Sequence, residues 1–192
     1  MRKVILYMIT TLDGLIAGPD DALAHYEPSD DEHRFANDLF DRAGAVLFGR
    51  VAYEGFVSYW DTLDLTDASN PQVAIDFATI FRSKPRVVFS RTLEEVDGNA
   101  VLVKDDIAGA VSKLKRQPGG DLLLVCGPEL LSTFVAAGLI DEFQVLVAPT
   151  VLGEGKALFA GVEDQLQLEL LETRVFGSGS VLLRYRRARA AA

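Results

Sequence analysis

Cysteine occurs once in the 192 residues, at Cys126. A lone thiol excludes an intrachain disulfide and leaves a cysteine-based zinc site without partners. Histidine is almost as scarce: His25 and His33 have no metal-ligand companions at useful spacing, so no metal is expected. Positive charge is also short, since 19 Lys+Arg against 28 Asp+Glu leave a net charge of −9. That balance suits neither a phosphate backbone nor an anionic membrane, so any anionic ligand must be held by a local cluster of cations. No window approaches the roughly 18 to 20 apolar residues of a membrane span, and the cytoplasm is the expected compartment. The apolar opening, Val4 to Ile9, runs into Thr10-Thr11-Leu12-Asp13-Gly14 without a small-residue cleavage site and reads as a first strand. Two enzyme signatures are missing as well: a G-x-S-x-G nucleophile elbow and a GxGxxG dinucleotide fingerprint.

What is present is an ordinary globular composition, 49% hydrophobic and 24% charged, at a length that one core can serve. A single domain over residues 1–187 is expected, followed by a frayed tail at 188–192. Short, nearly continuous apolar runs read as strands: Val4 to Thr10, Ala45 to Phe48, Arg86 to Ser90, Ala100 to Val103 and Leu122 to Cys126. Such runs suit parallel strands covered on both faces. Helical periods fall between them. Ser29 or Asp30 is positioned to cap Asp31 to Arg42, Val51 to Tyr59 follows, and Asn70-Pro71 opens a third helix. Asp105 or Asp106 opens a fourth through Lys115, and Pro128 to Ala137 is a fifth, stopped by Gly138. Trp60 to Ser69 reads as an exposed connector. The last third changes rhythm: Glu142 to Pro149 is a strand, and Leu166 to Val175, the turn Gly177-Ser178-Gly179-Ser180 and Val181 to Arg186 form a hairpin. The fold class is therefore α/β, a mostly parallel mixed central sheet with a C-terminal antiparallel hairpin.

Three strand ends carry candidate chemistry. At Val46-Leu47-Phe48-Gly49-Arg50 an apolar strand meets a helix at once. A helix N-terminus offers free backbone N–H groups and a positive partial charge, Gly49 lets a ligand approach the backbone, and Arg50 adds a forked cation. The segment Leu124-Val125-Cys126-Gly127-Pro128-Glu129 repeats that form, with Pro128 suited to the first helical position. Two such turns on one sheet are able to clasp the two ends of a dinucleotide. Ser90-Arg91, after the third run, puts a hydroxyl and a guanidinium near an adenosine phosphate if that strand neighbours the one ending at Gly49. Each feature also has a plain structural reading, as a tight turn or a surface charge. Two loops remain. Thr10 to Gly18 carries Asp13, which either serves a ligand or closes an Asp-Gly turn, with backbone groups near Ile9, Ile16 and Ala17 able to meet an amide-bearing ring. Pro149 to Phe159 carries Glu154 between two glycines and reads equally as an active-site loop or a connector. His33 is a weaker candidate for a polar substrate contact.

Taken in order, Thr11-Leu12-Asp13-Gly14-Leu15-Ile16-Ala17, Leu47-Phe48-Gly49-Arg50-Val51-Ala52-Tyr53-Glu54, Val88-Phe89-Ser90-Arg91-Thr92, and Gly138 to Glu142 through Pro149 to Gly155 resemble the dihydrofolate reductase-like superfamily. The closer resemblance is to the C-terminal reductase domain of the bifunctional riboflavin-biosynthesis deaminase-reductases and its stand-alone relatives. It spans almost the whole chain, and a stand-alone reductase domain without a preceding deaminase module is the expectation. The resemblance implies a three-layer fold with helices on both faces of the sheet, a homodimer, a small-molecule substrate and NADPH. Gly49, Arg50, Val51 and Ala52 are implied at the pyrophosphate and 2′-phosphate, Ser90 and Arg91 at the adenosine phosphate, and Cys126, Gly127, Pro128 and Glu129 on the cofactor's other side. Relatives commonly have two glycines at that last turn, where this chain has Cys126 before Gly127. Hydride transfer asks a protein mainly to align two rings, so few acid–base groups are needed. Asp13 and Glu154 are the catalytic candidates, Asp13 to position the ring end or a polar substrate group and Glu154 to contact substrate or relay a proton. Reduction of the ribosylamino-pyrimidine of riboflavin synthesis is one specific option. The rival expectation is a non-catalytic nucleotide-binding or structural protein on the same fold.

Overall fold

The computed structural model describes residues 1–19 and 27–188, so His25 and the expected tail at 189–192 lie outside the described residues. Four apolar runs form the centre of one eight-stranded sheet. Val4–Thr10 (β1) lies between Leu122–Val125 (β6) and Glu142–Val147 (β7), parallel to both, with Leu6 level with Leu124 and Phe143. Ala45–Gly49 (β3) pairs with β6 on one side and with Arg86–Phe89 (β4) on the other, again parallel. Beyond β4 comes Ala100–Val103 (β5), and beyond β7 come Val181–Arg187 (β10) and Leu168–Val175 (β9), so the order is β5-β4-β3-β6-β1-β7-β10-β9. β10 alone runs against the other strands, antiparallel to both β7 and β9, so β9 and β10 form the C-terminal hairpin that the sequence pattern predicts. The pattern also expects β5 to be central. It is an edge strand instead, with Val101 at 60% exposure.

Two pairings were not visible in the sequence. Leu15–Ala17 (β2) and Lys156–Ala157 (β8), both read there as loop, form a separate antiparallel pair. Ala188 donates to the Gln167 carbonyl and so is tied down rather than frayed.

Strand alternation divides the core by face. Phe48, Val88, Leu123 and Val125 pack under Asp30–Arg42 (α1), Arg50–Trp60 (α2) and Gln72–Ser83 (α3). Leu47, Phe89, Leu124 and Cys126 pack under Ile107–Arg116 (α4) and Pro128–Ala136 (α5). The first layer is aromatic: Phe40, Phe48, Phe56, Phe77 and Phe81 make a continuous set of ring contacts. Each fully buried Phe contributes on the order of 1.5–3 kcal/mol of transfer free energy. Beside it the Arg86 guanidinium lies over the Phe81 ring and forms a two-pronged ion pair with Asp61, fastening the α2–α3 connector.

Helix caps differ in detail from the expectation. Ser29 is the N-cap of α1, but its hydroxyl bonds the Asp31 carboxylate instead of a helix N–H. Pro71, not Asn70, caps α3, while the Asn70 amide reaches back to the Asp64 carbonyl. Asp106 caps α4 through its side chain, as predicted.

Candidate functional site

The sheet order creates a crevice. After β3 the chain moves toward β4 with its helices on the α1–α3 face; after β6 it moves toward β7 with α5 on the opposite face. Neighbouring strands whose connections leave in opposite directions part at their carboxyl ends, and ligands of open α/β sheets collect there. The two turns at that point are the two glycine turns of the sequence, Gly49 before α2 and Gly127 before α5.

Both glycines are N-caps and neither helix receives a side-chain cap bond, so the first-turn N–H groups are left for solvent or a ligand. The glycines are not equivalent. A Cβ built on Gly49 would lie 3.5 Å from Leu130 Cδ2 and 3.8 Å from Cys126 Cβ, whereas one on Gly127 would meet nothing within 4 Å. Gly127 has φ −77°, so its lack of a side chain answers no backbone strain. The open space beside it is where an anion can approach the start of α5. Cys126 does not intrude. Its side chain is wholly buried in the α4–α5 layer, where desolvation pushes the thiol up to about 12.

Arg50 is exposed at the start of α2 and pairs with Glu54 at 2.9 Å, one turn on. Val51 is exposed and Ala52 half-buried beside it. Because β4 does neighbour β3, Ser90 and Arg91 follow a strand whose Phe89 is level with Gly49. The Ser90 hydroxyl is spent on the turn, accepting from the Thr92 and Leu93 amides, while Arg91 is exposed with no ion pair among the described residues. Two guanidiniums and two helix starts thus border one strand-end cluster in an otherwise acidic chain. Pro128 and Glu129 begin α5, Glu129 pointing to solvent.

At the end of β1, Ile9 is 38% exposed, and Ile16 and Ala17 belong to the β2–β8 pair. Asp13 does more than close a turn. Its Oδ1 accepts from Thr11 Oγ1 at 2.5 Å and from the Leu152 amide at 3.3 Å, and its Oδ2 accepts from the Gly153 amide at 2.8 Å. These bonds, the Thr11 hydroxyl first, hold its carboxyl below the usual carboxylate range. Glu154, next in that loop, is exposed. The structure therefore brings Asp13 and the Glu154 loop together, and Gly49, Arg50, Gly127 and Ser90-Arg91 together. His33 is half-buried on α1. Sequence reasoning missed Glu32 and Tyr7. Glu32, 3% exposed in the first turn of α1, accepts from the Ser178 hydroxyl at 2.6 Å, and burial, then the Glu32 charge, raises the Tyr7 phenol above its ordinary range. An acidic first turn reads simply as helix-dipole complement, so nothing in the sequence marked Glu32.

No helix among the described residues is long and apolar enough to cross a membrane. Among the same residues no group of three His, Cys, Asp or Glu stands ready to hold a metal ion.

The sequence profile of the RibD C-terminal domain matches residues 2–182. The uncharacterized protein YyaP of Bacillus subtilis is 35% identical over 96% of this chain and 94% of its own length. Among solved structures, a candidate riboflavin-biosynthesis protein from Shewanella sp. PV-4 superposes with a TM-score of 0.75 at 25% identity, covering 97% of this chain and 99% of its own. The Thermotoga maritima diaminohydroxyphosphoribosylaminopyrimidine deaminase/5-amino-6-(5-phosphoribosylamino)uracil reductase gives 0.68 at 18% identity, with 97% of this chain matching 57% of that longer one. Enterococcus faecalis dihydrofolate reductase, solved with NADP(H), gives 0.65 at 11% identity over 97% of both chains. The last two likenesses concern the fold.

Proposed function

Because the chain belongs to the RibD C-terminal domain family, we propose that it is an NADPH-dependent reductase of a small heterocycle, resembling the pyrimidine reductase of riboflavin synthesis. The observation that carries this reading is the switch-point crevice, with the open space at Gly127, two uncapped helix starts and the guanidiniums of Arg50 and Arg91 around it. That donor set fits a dinucleotide phosphate. Arg50, Val51 and Ala52 would hold it from α2, Gly127 and the start of α5 from the other side, and Ser90-Arg91 would border the adenosine end. A bound nicotinamide supplies the hydride. The chain's own part is to orient the ring and keep water out, with Ile9, Ile16 and Ala17 at the ring end and Glu154 presented to the substrate. Asp13 is held ionised by three donors and so positions rather than gives a proton. The test is NADPH oxidation against a panel of aminopyrimidines and pterins. Turnover with any of them, weakened in Arg50→Ala, supports the reading, and none with a protein that is stabilised by NADPH moves it to a non-catalytic binder.

The same reading includes a homodimer in the cytoplasm. By register, Val147, Val181 and Val175 stand side by side across β7, β10 and β9, followed by Val145, Leu183 and Thr173, then Tyr185 and Leu170 beyond the buried Phe143. Val175 is 70% and Leu170 53% exposed, while the other face of these strands carries ion pairs of Arg184 and Arg186 with Glu142, Glu172 and Glu169. An apolar sheet face of this kind suits a second copy of the chain. Light scattering on Val175→Glu should then report a monomer where the unaltered chain reports a dimer.

A further inference from the structure

We propose that Asp13 is a latch: its carboxylate straps the loop bearing Glu154 onto the loop that leaves β1, and its effect on the reaction passes through that loop. The proposal deepens the reductase reading, and its first test stands without it. Residues 151–157 are all exposed, and the loop is pinned at its ends, where Leu12 donates to the Thr150 carbonyl at 2.8 Å and the buried Leu158 donates to the Gly14 carbonyl at 3.0 Å. Between those pins, the hydrogen bonds that reach 151–154 among the described residues are the two into Asp13, from the Leu152 and Gly153 amides. Thr11, fully buried, gives the carboxylate its third donor and a fixed base. Downstream, Gly155 has φ +150°, and a Cβ there would come within 2.1 Å of the Ala17 carbonyl oxygen, so the two loops touch backbone to backbone. An ionised carboxylate accepts from all three donors at once. An amide in its place presents a donor where an acceptor is required, and at least one N–H loses its partner.

The experiment is hydrogen exchange on the ligand-free chain, comparing the unaltered protein with Asp13→Asn and Asp13→Glu. The expected result in Asp13→Asn is exchange about 10-fold faster or more at the Leu152 and Gly153 amides, as for loss of a bond to a charged group, with β1 and β6 unchanged. Asp13→Glu, which keeps the charge on a longer arm, should recover part of the protection. NADPH should still raise the melting temperature of Asp13→Asn, because the crevice itself is intact. Exchange that quickens only at residues 12–14, or not at all, overturns the latch, and so does loss of the NADPH effect with unchanged exchange, which would make Asp13 a ligand contact. If Asp13→Asn fails to fold, Thr11→Val, which removes one donor of three, should show a smaller rise over the same residues, and its absence overturns the proposal equally. A chain that never responds to NADPH leaves the exchange result standing and counts against the reductase reading alone.

Discussion

Gly127→Ala separates folding from ligand binding. The new methyl group would meet nothing within 4 Å, and the backbone at φ −77°, ψ 176° is extended, a conformation any residue adopts. Two small effects then act on stability. Alanine is poorer than glycine at an N-cap by up to about 1 kcal/mol, while removing a glycine from the unfolded chain gains about 0.4–1 kcal/mol. They nearly cancel, so the melting temperature should move by no more than roughly 2–4 °C. Binding should respond differently, because the methyl group projects into the space through which a phosphate reaches the first turn of α5. Losing one hydrogen bond to a charged group costs about 1.5–3 kcal/mol, which is roughly 10- to 100-fold in Kd. Calorimetric titration with NADPH measures it. Gly49→Ala is the control, since its methyl would pack against Leu130 and Cys126 inside the protein, and its effect on Kd should be smaller. A fully folded Gly127→Ala that binds NADPH as tightly as the unaltered chain would show that the space beside Gly127 is not where the phosphate enters.

Other outcomes follow from the same geometry. Asp61→Asn leaves the Arg86 guanidinium, 5% exposed, without its ionic partner, and urea unfolding should show a loss of roughly 3 kcal/mol. Glu54→Gln frees Arg50 from its 2.9 Å pair; as exposed pairs of this kind are worth only about 0.3–0.5 kcal/mol, stability should hardly change, while NADPH affinity measured at low salt rises and NADH affinity rises less. Asp13, Asp31, Asp64 and Asp67 all sit below their ordinary carboxyl value of 3.8, through hydrogen bonds from Thr11, Ser29, Thr66 and the Ser69 amide respectively. Depressed carboxyls bind fewer protons folded than unfolded, so their contribution is complete above the unfolded value and is lost as pH falls through the folded ones. The melting temperature should therefore be insensitive to these four groups above about pH 5 and fall on further acidification, and Asp13→Asn should flatten part of that fall.

The sheet was legible because its central strands are covered on both faces and read as unbroken apolar runs, such as Leu122 to Val125. Their order was not. The meeting of Gly49 and Gly127 at one crevice depends on β3 lying beside β6, a choice made by long-range packing that no local pattern records. The β2–β8 pair escaped because segments of three and two residues have no measurable period. Asp13 read as a turn residue or a catalytic one because its partners are backbone amides 139 and 140 residues away. Backbone donors leave no trace in side-chain sequence. The two glycine turns look alike in sequence and differ in space, because Leu130 folds back over Gly49 while a Cβ on Gly127 would have no neighbour within 4 Å. Cys126 departs from the expected pair of glycines, and strand alternation sends its side chain into the core.

The most direct measurement is a titration of the unaltered chain and Arg50→Ala with NADPH and with NADH, followed by melting temperature, since a ligand that binds only the folded state raises it by mass action. A saturable rise with NADPH is expected, with a smaller one for NADH and loss of the difference in Arg50→Ala. No rise with either nucleotide at saturating concentration would contradict the NADPH reading.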